Sequence, residues 1–135
     1  MEFRAHGHAT ENNERVLKAF AFVTGIEKPT ITRAEGYHGN PIAIFTASLE
    51  DSKSIRAFWE RVREAGELEA VLKDLDRRVD EDCQLHLRFD KQEAYQGRLK
   101  VVRHDDIISM KAKVAAYPAR RDKAVQAVIE YFRED

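Results

Sequence analysis

The sequence predicts an α+β fold in which amphipathic helices cover one face of a mostly antiparallel sheet. Several short runs alternate at period two, as strands do, and longer runs repeat at the 3.6-residue period of helices. Their order is strand, helix, two strands, two helices, strand, helical turn, two strands and helix, which is not the strict alternation of a parallel sheet. A chain of 135 residues has the size of one domain, so we expect residues 1–135 to form a single domain.

The chain begins with patterns for one strand and one helix. Residues 2–9 alternate between small or apolar side chains and polar ones, which is typical of a strand with one buried face. Thr10 is a favourable N-cap, and apolar residues then recur at helical spacing until Gly25. We therefore expect a strand followed by an amphipathic helix that ends at Gly25.

Two strands and a polar loop follow. Residues 29–36 and 42–49 have strand-like composition, and the second run is apolar on both sides over its first half. We therefore expect the second strand in the interior of the sheet. The loop between them reads EGYHGNPI, in which Gly36 and Gly39 permit backbone conformations that other residues disfavour. Pro41 biases the residue before it towards extended geometry.

The middle of the chain predicts two charged helices. The first is capped by Asp51 or Ser52 and has an apolar stripe at helical spacing, formed by Ile55, Phe58, Trp59 and Val62. Gly66 interrupts the pattern, and a second stripe continues to Val79. Between residues 51 and 80, eight acidic residues nearly balance seven basic ones. We interpret this charge as a solvated face of the protein and not as a site.

The last third of the chain predicts three more strands and a final helix. It predicts, in order, a strand (residues 83–89), a helical turn ended by glycine (90–97) and two further strands (98–103 and 107–114). The sequence Arg103-His104-Asp105-Asp106 reads as the hairpin turn between the last two strands. Pro118 precedes a last amphipathic helix.

This pattern leaves one sheet face open, and basic residues are concentrated on it. From residue 83 to residue 114 there are seven basic and four acidic residues, although the whole chain has a net charge of −1. Strands with Arg and Lys at every second position form a flat array of donors suited to phosphates. The alternative is that an open face is normally polar, and that lysines at sheet edges prevent aggregation.

Metal sites and catalytic sites have little support in the sequence. His6 and His8 place two imidazoles on one strand face, but there is no HExxH motif and no spacing of histidine and carboxylate typical of zinc enzymes. Cys83 alternates with leucines, so we interpret it as a small core residue. GxSxG, P-loop and GxGxxG motifs are absent. We therefore predict a protein without catalytic residues, metal or cofactor.

Cysteine content and hydropathy indicate the compartment. One cysteine excludes a disulfide framework within the chain, which fits a reducing interior. The beginning MEFRAHGHATENNERV has no apolar segment of signal-peptide length, and no run approaches about 18 apolar residues. We expect a soluble cytoplasmic protein that does not bind membranes.

Three segments carry a family resemblance: AHGHATENNERVLKAFAFVTG, EGYHGNPI and LRFDKQEAYQGRLKV. In this order, with a charged helical region between them, they resemble an archaeal family of small predicted RNA-binding proteins, often labelled predicted exosome subunits. The resemblance covers residues 5 to about 117. Its most specific parts are HGNPI at 38–42 and RFDKQ at 88–92. The family's fold is similar to that of the large-subunit ribosomal protein that binds 5S RNA, with helices packed on one side of a sheet.

The resemblance implies a non-catalytic RNA-binding protein, an accessory of RNA processing or of the exosome. The candidate RNA-binding residues come from the open face and two polar loops: Arg4, His6, His8, Arg33, His38, Asn40, His86, Arg88, Lys91, Gln92, Arg98, Lys100, Lys111 and Lys113. We expect structural roles for Gly39, Pro41 and Asp90. One alternative is a protein-interaction or homodimerisation module that uses the open face through Ile42 and Ile44. The other is a metal-dependent enzyme that uses the histidines.

Overall fold

Five strands form one antiparallel sheet in a computed structural model of the protein, which describes residues 1–8, 11–35 and 39–133. In chain order the strands are β1 (Glu2–Gly7), β2 (Thr30–Glu35), β3 (Pro41–Ser48), β4 (Gln84–Asp90) and β5 (Ile107–Lys113). Across the sheet their order is β2-β3-β1-β5-β4, and each neighbouring pair is antiparallel. The predicted fold class is confirmed, and β3 has a partner on both sides, as its two apolar faces indicated.

Six helices lie within the described residues. They are α1 (Asn13–Thr24), α2 (Ser52–Glu64), α3 (Leu68–Lys73), α4 (Leu75–Arg78), α5 (Lys91–Tyr95) and α6 (Arg121–Arg133). Each of the predicted helical regions is present, and the second stripe of the middle region is divided into α3 and α4. None of these described helices has the length and apolar character needed to cross a bilayer.

The N-terminus of α1 is capped by a residue that the sequence analysis did not choose. Asn12 Oδ1 accepts hydrogen bonds from the backbone N–H groups of Glu14 at 2.9 Å and Arg15 at 3.4 Å. The predicted cap, Thr10, lies outside the described residues, and the helix begins three positions after it. Asp51 caps α2 as predicted, because its Oδ2 accepts from Ser54 N at 2.9 Å.

Removal of the Asn12 cap should destabilise the protein measurably. We expect Asn12→Ala to lower the free energy of unfolding by about 1 kcal/mol, because two N–H groups of the first helical turn lose their acceptor. Urea denaturation followed by circular dichroism measures this change. Asn13→Ala makes the same chemical change one residue later, at a position that does not cap, and should be nearly neutral. Equal losses in the two variants would contradict the assignment.

The C-terminus of α1 is fixed by Gly25 and by a side chain from α2. Gly25 has φ 77°, in the left-handed region that favours glycine, and its N–H donates to Ala21 O at 2.8 Å. Arg61 of α2 donates to the last carbonyls of α1, to Phe22 O at 2.6 Å and to Val23 O at 3.0 Å. The helix therefore ends where the sequence predicted, and α2 is bound to that end.

The strand register separates the two faces of the sheet. Phe3 pairs with Ala47 on one side and Met110 on the other, and this face is the one that the helices cover. Arg4, the next residue, pairs with Thr46 and Ser109 on the opposite face. We call that opposite face the open face. Its residues alternate with the buried ones, as the period-two pattern predicted.

Aromatic side chains join α2 to the covered face of the sheet. Phe58 is fully buried, and its ring lies edge-on to Phe3 of β1, Trp59 of α2 and Phe89 of β4, at centroid distances of 5.3, 5.1 and 5.8 Å. Such pairs contribute about 0.5–1.5 kcal/mol each beyond the burial of their area. The covered face is therefore a rigid support for the side chains on the open face.

One predicted strand and one predicted hairpin are wrong. Residues 98–103 run beside β4 but form only an isolated bridge, between Val101 and Phe89. Two backbone hydrogen bonds hold this bridge, from Asp90 N to Lys100 O at 2.9 Å and from Val102 N to Arg88 O at 2.8 Å, while the Val101 N–H points away from β4 and donates to Glu67 Oε1 at 3.2 Å. β4 lies between this segment and β5, so Arg103–Asp106 crosses the end of β4 and does not join two paired strands.

Candidate nucleic-acid interface

A row of polar side chains crosses the open face from one edge of the sheet to the other. The register places one residue from each strand in this row: Thr30, Thr46, Arg4, Ser109 and Arg88. The row therefore contains three hydroxyl groups and two guanidinium groups. Hydroxyls and guanidiniums both donate hydrogen bonds to phosphate oxygens, so the row can bind an anionic chain laid across the strands.

Most of the predicted site residues on strands do lie on the open face. The register places them within the central row or beside it: Arg4, His6, His86, Arg88, Lys111 and Lys113. His8 follows the end of β1 and is exposed. A shallow depression of about 490 Å³ in the centre of the face is lined by Arg4, Thr46, Ser48, His86, Ser109 and Lys111, among others.

Acidic residues partly neutralise this surface, but not at its centre. Lys111 Nζ lies 3.5 Å from Glu2 on the neighbouring strand, and His86 Nε2 lies 2.7 Å from Asp80. Within residues 1–8, 11–35 and 39–133, the guanidinium of Arg4 has no carboxylate partner. The middle of the row therefore carries an uncompensated positive charge.

Arg33 lies on the wrong face for the predicted site. It pairs with Ala43, a buried residue of the helix-covered face, and is exposed only because β2 is the edge strand. Arg33 was predicted on the open face because no residue of this edge strand is buried, so the sequence does not show which side chains point towards the helices. All six residues of β2 are exposed, so the pattern did not reveal which way each side chain points.

Lys91 is buried, so the prediction that it projects from a recognition loop is wrong. The residue is 3% exposed. Its Nζ donates to His6 O at 2.8 Å and forms ion pairs with Glu11 Oε1 at 2.9 Å and Asp106 Oδ1 at 3.0 Å. It therefore joins β1, the segment before α1 and the segment before β5. We call this group the Lys91 clamp.

Other predicted loop and strand residues lie apart from the open face. Arg98 forms an ion pair with Glu93, and both Arg98 and Lys100 line a depression on the helical side with Phe22 and Arg61. Gln92 Nε2 donates to Asp106 Oδ2 at 3.3 Å. Asn40 is exposed at the β2–β3 connection, and His38 lies outside the described residues.

Two of the three loop residues expected to have structural roles, Gly39 and Asp90, have them. Gly39 has φ 74°, a conformation that other residues rarely adopt. Asp90 caps α5, because its Oδ1 accepts from Glu93 N at 2.8 Å, and its Oδ2 lies 2.8 Å from His104 Nε2. Burial alone would raise the pKa of Asp90, but these hydrogen bonds outweigh burial and lower it.

The surroundings of His6 disfavour its protonated form. Partial burial lowers the pKa of His6 below 6.5, and the positive charges of Arg4, His8 and Lys91 lower it further. Its ring lies on the open face, in the row next to that of Arg4. A phosphate bound beside this ring would favour its protonated form.

A cluster of arginines lies at the β4 edge and was not predicted from the sequence. A depression of about 350 Å³ is lined by Asp74, Arg77, Arg78, His86, Arg88, Val102 and Arg103, and we call it the arginine depression. His86 and Arg88 also belong to the open face, so the two surfaces are continuous. Arg77 and Arg78 were missed because acidic residues balance the bases within 51–80, and only the fold brings them to Arg88 and Arg103.

The described residues contain no group of three or more metal-ligating side chains. Cys83 is buried, as expected, but it precedes β4 with φ 61° and is not part of the strand.

An α+β protein with helices on one side of a sheet and a basic, hydroxyl-rich open side belongs to a class of small modules suited to polyanions. The chain belongs to the family described as RNA binding, whose family model matches residues 1–114.

Known relatives extend over nearly the whole chain. The RNA-binding protein PAB1135 of Pyrococcus abyssi is 34% identical over 97% of this chain and 91% of its own length. The uncharacterized protein MJ0213 of Methanocaldococcus jannaschii is 31% identical over 90% of this chain and 89% of its own. The structure of Mth689 from Methanothermobacter thermautotrophicus is 36% identical, with a TM-score of 0.83 over 96% of this chain and 93% of that one.

Proposed function

We propose that the protein binds RNA without catalysis, through the sugar–phosphate backbone laid across the open face. The observation that carries the proposal is the row of Thr30, Thr46, Arg4, Ser109 and Arg88, which places a hydroxyl or guanidinium group on each of the five strands. The family and the relative named RNA-binding protein support the same class of ligand.

The open face favours recognition of the backbone over recognition of bases. The central row contains hydroxyl and guanidinium groups but no aromatic ring on which a base could stack. Contacts to phosphates carry little sequence information, so affinity should depend weakly on RNA sequence. The finer role, as an accessory of RNA processing or of the exosome, rests on the family resemblance. The cytoplasmic location rests on the single cysteine and the hydropathy of the chain.

Salt dependence tests the mechanism. Fluorescence anisotropy with a labelled single-stranded RNA and a labelled hairpin RNA should give dissociation constants that rise steeply between 50 and 200 mM salt, about 0.7 to 0.9 in logarithmic slope per phosphate contacted. Binding that does not change with salt would refute a phosphate-binding face. Failure of both RNAs to bind at low salt would refute the proposed function.

Binding should also take up a proton at His6. The pKa of His6 lies below 6.5 in the free protein, and an adjacent phosphate would raise it, so affinity should increase as the pH falls from 7.5 to 5.5. His6→Gln should lose about half of this increase or more, as measured by anisotropy at fixed ionic strength. The same pH profile in variant and wild type would show that His6 does not contact the anion.

A protein-interaction module has one observation in its favour, at the β2 edge and not at Ile42 and Ile44 of the open face, where the sequence placed it. β2 is an exposed edge strand, and Ile31 on it is 48% exposed, so a second chain could pair with it. Light scattering over a range of concentrations tests a homodimer. A mass that stays at 15.6 kDa would argue against this alternative.

A further inference from the structure

The residues that line the arginine depression carry more positive than negative charge. Asp74 is the acidic residue among those lining it, and three guanidinium groups surround its carboxylate. Arg103 Nη2 is 2.6 Å from Asp74, which is a hydrogen bond, whereas the nearest nitrogens of Arg78 and Arg77 are 3.6 and 3.8 Å away. The Asp74 carboxylate is therefore hydrogen-bonded to Arg103 but not to Arg77 or Arg78.

Arg78 is the most enclosed of these arginines and has an unused donor. Its side chain is 12% exposed, and its Nε is buried without a hydrogen-bond partner among the described residues. Burial lowers the pKa of Arg78, which the charge of Asp74 raises and that of Arg103 lowers. Each guanidinium offers five N–H donors, so most of the donors around the depression are not used by Asp74.

The other two basic residues of the depression are held in place by neighbours. Arg88 Nη1 contacts Asp105 Oδ1 at 3.0 Å and the carbonyl of Arg103 at 3.2 Å, and His86 Nε2 lies 2.7 Å from Asp80. With Asp80 and Asp105 counted, four arginines still face three carboxylates.

We propose that the arginine depression binds a phosphomonoester, the phosphate carried by an RNA end or by a free mononucleotide. A phosphomonoester has a charge of about −1.5 to −2 at pH 7 and three oxygens free to accept. An internal phosphodiester has a charge of −1 and two free oxygens. A concave site with guanidinium groups from α4, β4 and the segment after α5 matches the monoester, because donors on several sides can reach the additional oxygen.

This inference deepens the proposed function and rests on it for the RNA source of the phosphate. An RNA lying on the open face reaches the β4 edge at Arg88 and His86, which border both surfaces. The chain end would then enter the depression. A free mononucleotide would use the same phosphate contacts without the open face.

The test compares the ends of otherwise identical RNAs. A 12-nucleotide RNA is prepared with a 5′-phosphate, a 3′-phosphate or hydroxyls at both ends, with the fluorophore at the end opposite the phosphate. We expect one of the two phosphates to tighten binding about tenfold, since one charge-assisted contact is enough for that gain. Arg77→Ala/Arg103→Ala should abolish the gain, because both side chains are exposed and line the depression.

A matched control removes the same charge elsewhere. Lys53→Ala/Arg56→Ala lowers the net charge equally on exposed positions of α2, on the helical side of the sheet, and should keep the gain. Equal affinity of wild type for phosphate-ended and hydroxyl-ended RNA would overturn an RNA-end site. This comparison needs no variant, so misfolding of a mutant cannot obscure it.

Competition by adenosine monophosphate separates the two sources of phosphate. If it displaces the phosphate-ended RNA at a concentration at which adenosine does not, the depression also accepts a free mononucleotide. If it does not compete and the gain persists, the RNA end is the ligand. If no RNA binds but the monophosphate binds and needs Arg77 and Arg103, the proposed function fails and the phosphate site stands. If a terminal phosphate does not tighten RNA binding and the monophosphate does not bind either, the proposal of a phosphate site is wrong.

Discussion

Lys91→Met should lower the free energy of unfolding by about 3 kcal/mol. The substitution keeps the length of a buried side chain but removes the ammonium that joins His6 O, Glu11 and Asp106. Loss of one partner of a buried ion pair costs about 3–5 kcal/mol, and the partial exposure of both carboxylates places this case at the low end. Urea denaturation at pH 7 measures the change.

The pH dependence of this difference identifies its cause. Burial would raise the pKa of Asp106, but hydrogen bonds from Lys91 and Gln92 and the charge of Lys91 outweigh burial and lower it below 3.8. A depressed carboxyl pKa gives stability that is present above the ordinary value and is lost as the pH falls through the folded-state value. The gap between Lys91→Met and wild type should therefore shrink below about pH 4.

An exposed lysine provides the control for the Lys91 clamp. Lys100→Met makes the same chemical change at an exposed position and should alter stability by less than about 0.5 kcal/mol. If Lys91→Met were as stable as wild type, the hydrogen bond and the two ion pairs of Lys91 would contribute nothing net to stability.

Arg4→Ala/Lys111→Ala should weaken RNA binding by about tenfold to a hundredfold and reduce the salt slope by about 1.5. Both side chains are exposed on the open face, one at the centre of the row and the other in the next row. Each lost phosphate contact removes the release of about one counterion, so affinity and slope should fall together. Anisotropy titrations at four salt concentrations measure both quantities.

Net charge alone must be separated from position on the surface. Lys53→Ala/Arg56→Ala changes the net charge by the same two units on α2, so its affinity and slope should stay within about twofold of wild type. If both double variants lost affinity equally, binding would reflect the overall charge of the protein. The open face would then have no special role in the interaction.

The sequence predicted the elements better than the surfaces they form. Period-two and helical patterns depend on burial, so strands such as β1 and helices such as α2 could be recognised from single segments. The face to which Arg33 belongs could not, because an edge strand with both sides exposed has no buried side chain to fix its alternation.

Contacts between distant segments explain the other errors. Lys91 reads as a loop lysine, and only the fold brings Glu11 and Asp106 to it. Arg77 and Arg103 line the same depression, although 25 residues lie between them in the sequence. The N-cap at Asn12 was missed for a different reason, because Thr10 satisfies the same local preference two residues earlier.

The central position of β1 has a consequence for the order in which the chain acquires its surface during synthesis. β1, β2 and β3 are complete once about fifty residues have emerged, and the three can pair with one another. Ser109 Oγ, which donates to Arg4 O at 3.2 Å, arrives from 105 residues further along. A half-made sheet would leave one edge of β1 unpaired until then. The row proposed to bind RNA therefore stays incomplete until β4 and β5 have been added to the sheet.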